Sequence, residues 1–117
     1  MTTIVIFKSN NSYKGFSCIG HAGYSHSGKD IVCASISVLV INTLNAIEKL
    51  AAENAEVQMD DGIIECIFPN ELNDKAKLLM DAMVMGLEDI EKGYGKQEKK
   101  GFFRKEKNYF KLIIKEV

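Results

Sequence analysis

Apolar and polar residues follow two different periods along this chain, and the switches between them outline its elements. Thr3 to Phe7 is β-branched and aromatic, Asn10, Asn11 and Ser12 supply turn chemistry, and a second extended stretch follows from about Gly15 to Ile19. This pattern predicts an opening hairpin. From about Ile31 to Glu53, the residues Ile36, Val40, Leu44, Ile47 and Leu50 recur at helical spacing, with Asn42, Asn45, Glu48 and Lys49 largely on another face. That spacing predicts a long helix with a broad apolar side. Val57 to Met59 and Ile63 to Phe68 flank Asp60-Asp61-Gly62, a strong signal for a tight hairpin turn.

The single proline, Pro69, closes that pair, and Asn70 to Asn73 offer caps for a second helix carrying Ala76, Leu79, Met80, Met83, Leu87 and Ile90. Gly93 and Gly95 are expected to stop it. Lys96 to Asn108 is lysine-rich, with Phe102-Phe103 at its centre and no clean period, and reads as an exposed loop. Tyr109 to Val117 returns to a strand pattern, with Leu112 and Ile114 on one face and Tyr109, Lys111, Ile113 and Lys115 on the other. The order ββαββαβ predicts an α+β two-layer sandwich: a largely antiparallel sheet with two helices on one face.

The chain has 117 residues, 46% of them hydrophobic, enough for one domain spanning 1–117 with a core that needs neither disulfides nor metal. A formal charge of -1 gives no overall case for nucleic-acid binding, and none is expected. Cys18, Cys33 and Cys66 are odd in number and widely spaced, unlike a secreted disulfide scaffold. The N-terminus reads as a first strand rather than a signal peptide, and no unbroken apolar run has the length of a bilayer span. These features predict a cytoplasmic protein with no membrane partner.

Candidate chemistry concentrates in GHAGYSHSGKDIVCASIS, from Gly20 to Ser37, where a histidine and a cysteine flank a glycine-serine loop that opens into the first helix. With Asp30 as N-cap, its carboxylate would accept from the N–H of Cys33 and place the thiol in the first turn. Free N–H groups and the positive end of the helix dipole favour thiolate there, and the same groups suit an oxyanion. His21, twelve positions earlier, is placed to take the thiol proton and return it to a leaving amine. Ser37, four residues past Cys33, shares its helix face and is a candidate to bond near the sulfur or orient the histidine.

Each of these residues also has a plain structural reading, since free cysteine is commonly a core residue and a histidine at a strand end is commonly structural. The glycines Gly20, Gly23 and Gly28 beside Asp30 weigh toward a site, because glycine-rich loops are costly unless they move or approach a ligand. From the residues alone both readings stay open. Cys18, His21, His26 and Cys33 form C-x2-H-x4-H-x6-C, close to zinc spacing, but Cys18 and His21 have opposite strand parity and would point apart. No metal and no cofactor are expected, and Cys66, among apolar strand neighbours, is expected in the core. The glycines match neither phosphate-loop nor dinucleotide spacing.

The segment GHAGYSHSGKDIVCASISVL resembles the signature of the bacterial ribosomal-processing cysteine protease family, Prp, closely in its GHA and G-x-DIVCA-x-x-S elements. A weaker likeness runs over nearly the whole chain, from the short first strand through the DGxxxC-type hairpin to the final Lys-Glu-Val. The resemblance implies a cysteine endopeptidase that removes the N-terminal extension of a large-subunit ribosomal protein, number twenty-seven. It implies His21 and Cys33 as catalytic dyad, with Asp30, Ser37 and Gly20 in support. It further implies a homodimer and a mobile loop, Ala22 to Lys29 with Gly23 and Gly28, that closes over a substrate with an aromatic residue before the scissile bond. The Lys96 to Asn108 stretch is longer than the family pattern suggests and is read first as a solvated loop, second as a contact to the substrate. The competing class is a non-catalytic ribosome-associated or assembly protein in which Cys33 merely packs.

Overall fold

The computed structural model describes residues 2–20, 27–95 and 110–117. Strands β1 (Thr2–Ser9) and β2 (Ser12–Ile19) pair antiparallel, from Thr3 opposite Ile19 to Ser9 opposite Ser12. Between them Asn10 and Asn11 hold φ of 49° and 69°. Two successive left-handed residues suit a two-residue hairpin, and asparagine tolerates that conformation better than most side chains. Strands β3 (Glu56–Asp60) and β4 (Ile63–Ile67) form the second hairpin around Asp61 and Gly62, with Gly62 at φ 75°. Strand β5 (Phe110–Glu116) lies parallel to β1, giving the order β3-β4-β2-β1-β5. The ββαββαβ sandwich expected from the pattern is the fold observed.

Helix α1 (Ser27–Leu50) and helix α2 (Asp74–Ile90) cover one face of the sheet. Thr2, Ile4 and Ile6 of β1, Phe16 and Cys18 of β2, and Ile64 and Cys66 of β4 are buried, at alternate positions in each strand. The helices add Val32, Ile36, Val40 and Ile47, then Ala76, Met80, Met83 and Leu87. Each large apolar side chain fully withdrawn from water contributes about 1.5–3 kcal/mol before entropy is counted. Neighbouring strands β2 and β4 approach closely at one point: a Cβ on Gly15 would sit 2.3 Å from the Cys66 carbonyl oxygen, so this position of β2 excludes any side chain.

Two helix ends differ from the sequence expectation. Helix α1 stops at Leu50 rather than near Glu53, because Ala52 turns left-handed (φ 53°) and the Glu53 N–H reaches back to the Ile47 carbonyl at 3.2 Å. Regular α2 ends at Ile90, and Gly93 and Gly95 fall in a π-helical turn, Glu91–Gly95. A Glu91 carboxylate oxygen in that turn accepts from the Leu112 N–H at 2.6 Å, which ties it to β5. At the other end of α2, Asn73 accepts from the Ala76 N–H at 2.9 Å and donates to the Ala51 carbonyl at 2.8 Å, joining the start of α2 to the end of α1.

One composition reading is corrected by the fold. Ile31–Leu50 has a mean hydropathy of 1.8 and is long and apolar enough to cross a bilayer by length and composition. The sequence hides this because Asn42, Asn45, Glu48 and Lys49 interrupt the run, as do Ser35, Ser37 and Thr43. Their hydroxyls donate to the carbonyls of Ile31, Cys33 and Leu39 at 2.7 Å each, so they carry no unmet polarity into an apolar helix. Here α1 lies on the sheet, and 28% of the stretch is buried.

Candidate active site

The beginning of β1, the end of β2 and the second turn of α1 meet at one end of the sheet. Gly20 follows β2 with φ 87°, and its N–H donates to the Gly62 carbonyl at 2.9 Å, which anchors the strand end to the β3–β4 turn. One step beyond the Thr3–Ile19 pair, Thr2 stands across from Gly20 and donates its hydroxyl to the Gly20 carbonyl at 3.3 Å. The same Thr2 Oγ1 lies 3.5 Å from Cys33 Sγ. Cys33 is half-buried, and its carbonyl accepts from the Ser37 hydroxyl at 2.7 Å. Thiol, threonine hydroxyl and the carbonyl of the residue that precedes His21 are thus joined in one short chain of contacts.

All three cysteines are free, and their surroundings differ sharply. Burial pushes the Cys18 thiol up to about 11, helped by the nearby sulfur of Cys33, and burial alone pushes the Cys66 thiol up to about 12. Both are core thiols that stay neutral at physiological pH. Cys33 is the one whose side chain reaches the surface at a junction of elements.

The family model described as Cysteine protease Prp matches residues 1–99. The ribosomal processing cysteine protease Prp of Bacillus subtilis (strain 168) is 34% identical over 85 residues, covering 68% of this chain and 76% of that protein. This chain belongs to the Prp cysteine protease family. A crystal structure of the essential ribosomal processing protease Prp from S. aureus in complex with a substrate peptide superposes with a TM-score of 0.81 at 27% identity, over 98% of this chain and all of that one. A second S. aureus structure carries a covalently linked product peptide and superposes at 0.79 with 28% identity, over 98% of this chain and 100% of that one. The protein is therefore a cysteine protease with the Prp fold, and the non-catalytic reading gives way to the enzyme.

Within this Prp-family chain, the expected site residues fall into three groups. Gly20, Cys33 and Ser37 come together as described. His21, Ala22, Gly23 and His26 lie outside the described residues, as does the lysine-rich stretch Lys96 to Asn108. Gly28, Lys29 and Asp30 are helical: α1 begins at Ser27, so Asp30 is its fourth residue and not the N-cap, and the expected loop of Ala22 to Lys29 is shorter at its C-terminal end. Once a helix of this length exists, adding a turn costs no new nucleation, and this outweighs the roughly 1 kcal/mol that Gly28 costs relative to alanine.

The longer helix moves Cys33 into the second turn. Its N–H is taken up in the helix ladder, and the free N–H groups of the first turn lie upstream of it. The dipole, which fades within the first turn, then acts on the sulfur less than the N-cap placement implied. Thr2 is the site residue that sequence reading passed over. Only half of its signal was in the letters: Thr2 has the parity of the buried Ile4 and Ile6, but the two-asparagine turn alone would set it opposite Ile19, and the register shift between Phe7 and Lys8 moves it opposite Gly20.

Proposed function

We propose that this Prp-family protease removes the N-terminal extension of a large-subunit ribosomal protein, number twenty-seven, through a Cys33–His21 dyad. The observation that carries the reading is the contact of the half-buried Cys33 sulfur with Thr2 and, through it, with Gly20, the residue bonded to His21. The naming of the relatives as ribosomal processing proteases supports the substrate class, and the relative with a covalently linked product peptide supports a covalent step.

In this mechanism His21 takes the Cys33 proton as the sulfur attacks the scissile carbonyl carbon, forming a tetrahedral oxyanion. Collapse breaks the C–N bond, His21 gives its proton to the leaving amine, and a thioester remains on Cys33. Water, deprotonated by His21, then attacks the thioester and releases the acid product and the thiol. Asp30 and Ser37 support the dyad, and the mobile loop that the family likeness implies, Ala22 to Lys29 with Gly23 and Gly28, acts over the substrate up to the start of α1. No cofactor or metal takes part.

The reading places the enzyme in the cytoplasm, as one domain that pairs into a homodimer. Exposed apolar residues on α1 support the dimer, notably Ile31 and Val38, 54% and 69% exposed. The test of the substrate is incubation with the N-terminally extended ribosomal protein, with masses of the products read over time. A single cut at the extension junction is expected, and roughly 1,000-fold or greater loss for Cys33→Ala and for His21→Ala. An intact extension with the wild-type enzyme would remove the substrate assignment.

A further inference from the structure

We propose that Thr2 is a positioning residue for the nucleophile, its hydroxyl holding the Cys33 sulfur against the strand end that leads to His21. The inference rests on Cys33 acting as the nucleophile. Thr2 is 1% exposed, yet its side chain is polar and its hydroxyl meets the sulfur of the half-buried Cys33. Among the described residues, its Oγ1 has two hydrogen-bond neighbours, the Gly20 carbonyl at 3.3 Å and the Cys33 sulfur at 3.5 Å.

A hydroxyl has one proton to donate and lone pairs to accept with, and the two neighbours make different demands on it. The Gly20 carbonyl only accepts. The sulfur donates as a thiol and accepts as a thiolate. In the resting thiol, S–H donates to Oγ1 while the Thr2 proton goes to Gly20. When His21 removes the thiol proton, the Thr2 hydroxyl turns its proton to the sulfur and releases the Gly20 carbonyl. The thiol proton passes from sulfur to the imidazole, no bond of Thr2 breaks, and two neutral hydrogen bonds give way to one charge-assisted bond, which is about twice as strong as a neutral one.

The β-branch restricts χ1, and Thr2 is held in β1 with β5 paired beside it, so the hydroxyl stays near the sulfur without ordering cost. The neighbouring thiol of Cys18 on β2 is pushed up to about 11, mainly by burial, and so stays neutral across the useful pH range. Serine offers the same proton. Valine has the shape and fits the buried position, but leaves a thiolate without this donor.

The experiment is alkylation of Cys33 by iodoacetamide against pH in the full-length protein, comparing wild type with Thr2→Val and Thr2→Ser, with thermal melts to verify folding. Thr2→Val is expected to slow alkylation at pH 7 about ten-fold and move the profile to higher pH, the effect of losing a hydrogen bond to a charged group. On a cleaved peptide, kcat should fall with KM little changed, and Thr2→Ser should recover most of both. A purely structural threonine would lower the melting temperature and leave the alkylation profile in place, which would overturn the proposal. Should Thr2→Val not fold, Thr2→Ala is read the same way. Alkylation needs no substrate, so it reports on Thr2 even if Cys33→Ala were to cleave at the wild-type rate and the dyad were to fall.

Discussion

At the scale of single residues, three cysteines of identical chemistry are given different fates by where the chain puts them. Cys18 and Cys66 are 1% and 2% exposed, whereas Cys33 is half-buried. Iodoacetamide at pH 8 is expected to label Cys33 and spare the other two until the protein unfolds, read by peptide mapping; equal labelling of Cys66 would contradict the burial argument. The raised thiols also carry a pH signature. From an ordinary value of 9.0, Cys18 is raised to about 11 and Cys66 to about 12, so the folded state holds its protons longer than the unfolded chain. Their stabilising contribution is whole below pH 9 and is lost as pH rises from 9 through 11 and 12. Denaturant midpoints should fall over that window, and Cys66→Ser or Cys66→Ala should change the slope there. Residue identity alone singled out Cys33 and His21, because a thiol and an imidazole around a glycine loop are visible in the letters. Thr2 was not, since its importance comes from register across the hairpin.

At the scale of elements, hydrophobic period and turn chemistry were legible almost to the residue. Asn10-Asn11 and Asp61-Gly62 each join a strand pair, and Ala76, Met80, Met83 and Leu87 keep helical spacing on the buried side of α2. Helix ends were the weak point. Asp30 looked like a cap because aspartate favours that role, yet the helix propagates through Gly28 to Ser27, a cooperative effect that no single residue announces. Two glycines make contrasting predictions. A methyl on Gly15 would meet the Cys66 carbonyl, a backbone atom fixed in the sheet, at 2.3 Å; on Gly86 it would meet the end of the Leu39 side chain at 2.8 Å. Gly15→Ala is expected to cost about 3 kcal/mol or more in urea unfolding. Gly86→Ala should stay within about 1 kcal/mol of wild type, because the gain in helix propensity offsets a small shift of Leu39. A neutral Gly15→Ala would contradict the close strand approach.

At the scale of the whole molecule, the fold presents more apolar surface than its own core absorbs. One side of α1 packs on the sheet, while Ile31, Val38 and Ile41 are exposed, and Val38 lines a shallow depression with Ala34, Ser35, Leu39 and Asn42. This explains how α1 can have the composition of a membrane span: it is apolar on its outer side as well. The helical period shows a broad apolar side but does not say what covers it. A homodimer seated on this face should sediment at twice the chain mass at micromolar concentration, and Val38→Glu should shift it toward monomer without unfolding it. A monomeric wild type would remove the dimer from the proposed function.

The same scale sets the proposed catalytic arrangement, because β1, β2, the β3–β4 turn and α1 converge only in the assembled sheet. Within it the Cys33 sulfur, the Thr2 hydroxyl and the Gly20 carbonyl form one line of contacts. The central claim is that this sulfur forms the covalent bond to substrate. The most direct measurement is acid quenching during turnover of a peptide spanning the extension junction, followed by intact mass and fragment mapping. An acyl adduct of the N-terminal fragment on Cys33, absent in Cys33→Ala, is the predicted result. Cleavage that continues in Cys33→Ala, or an adduct on another residue, would contradict it.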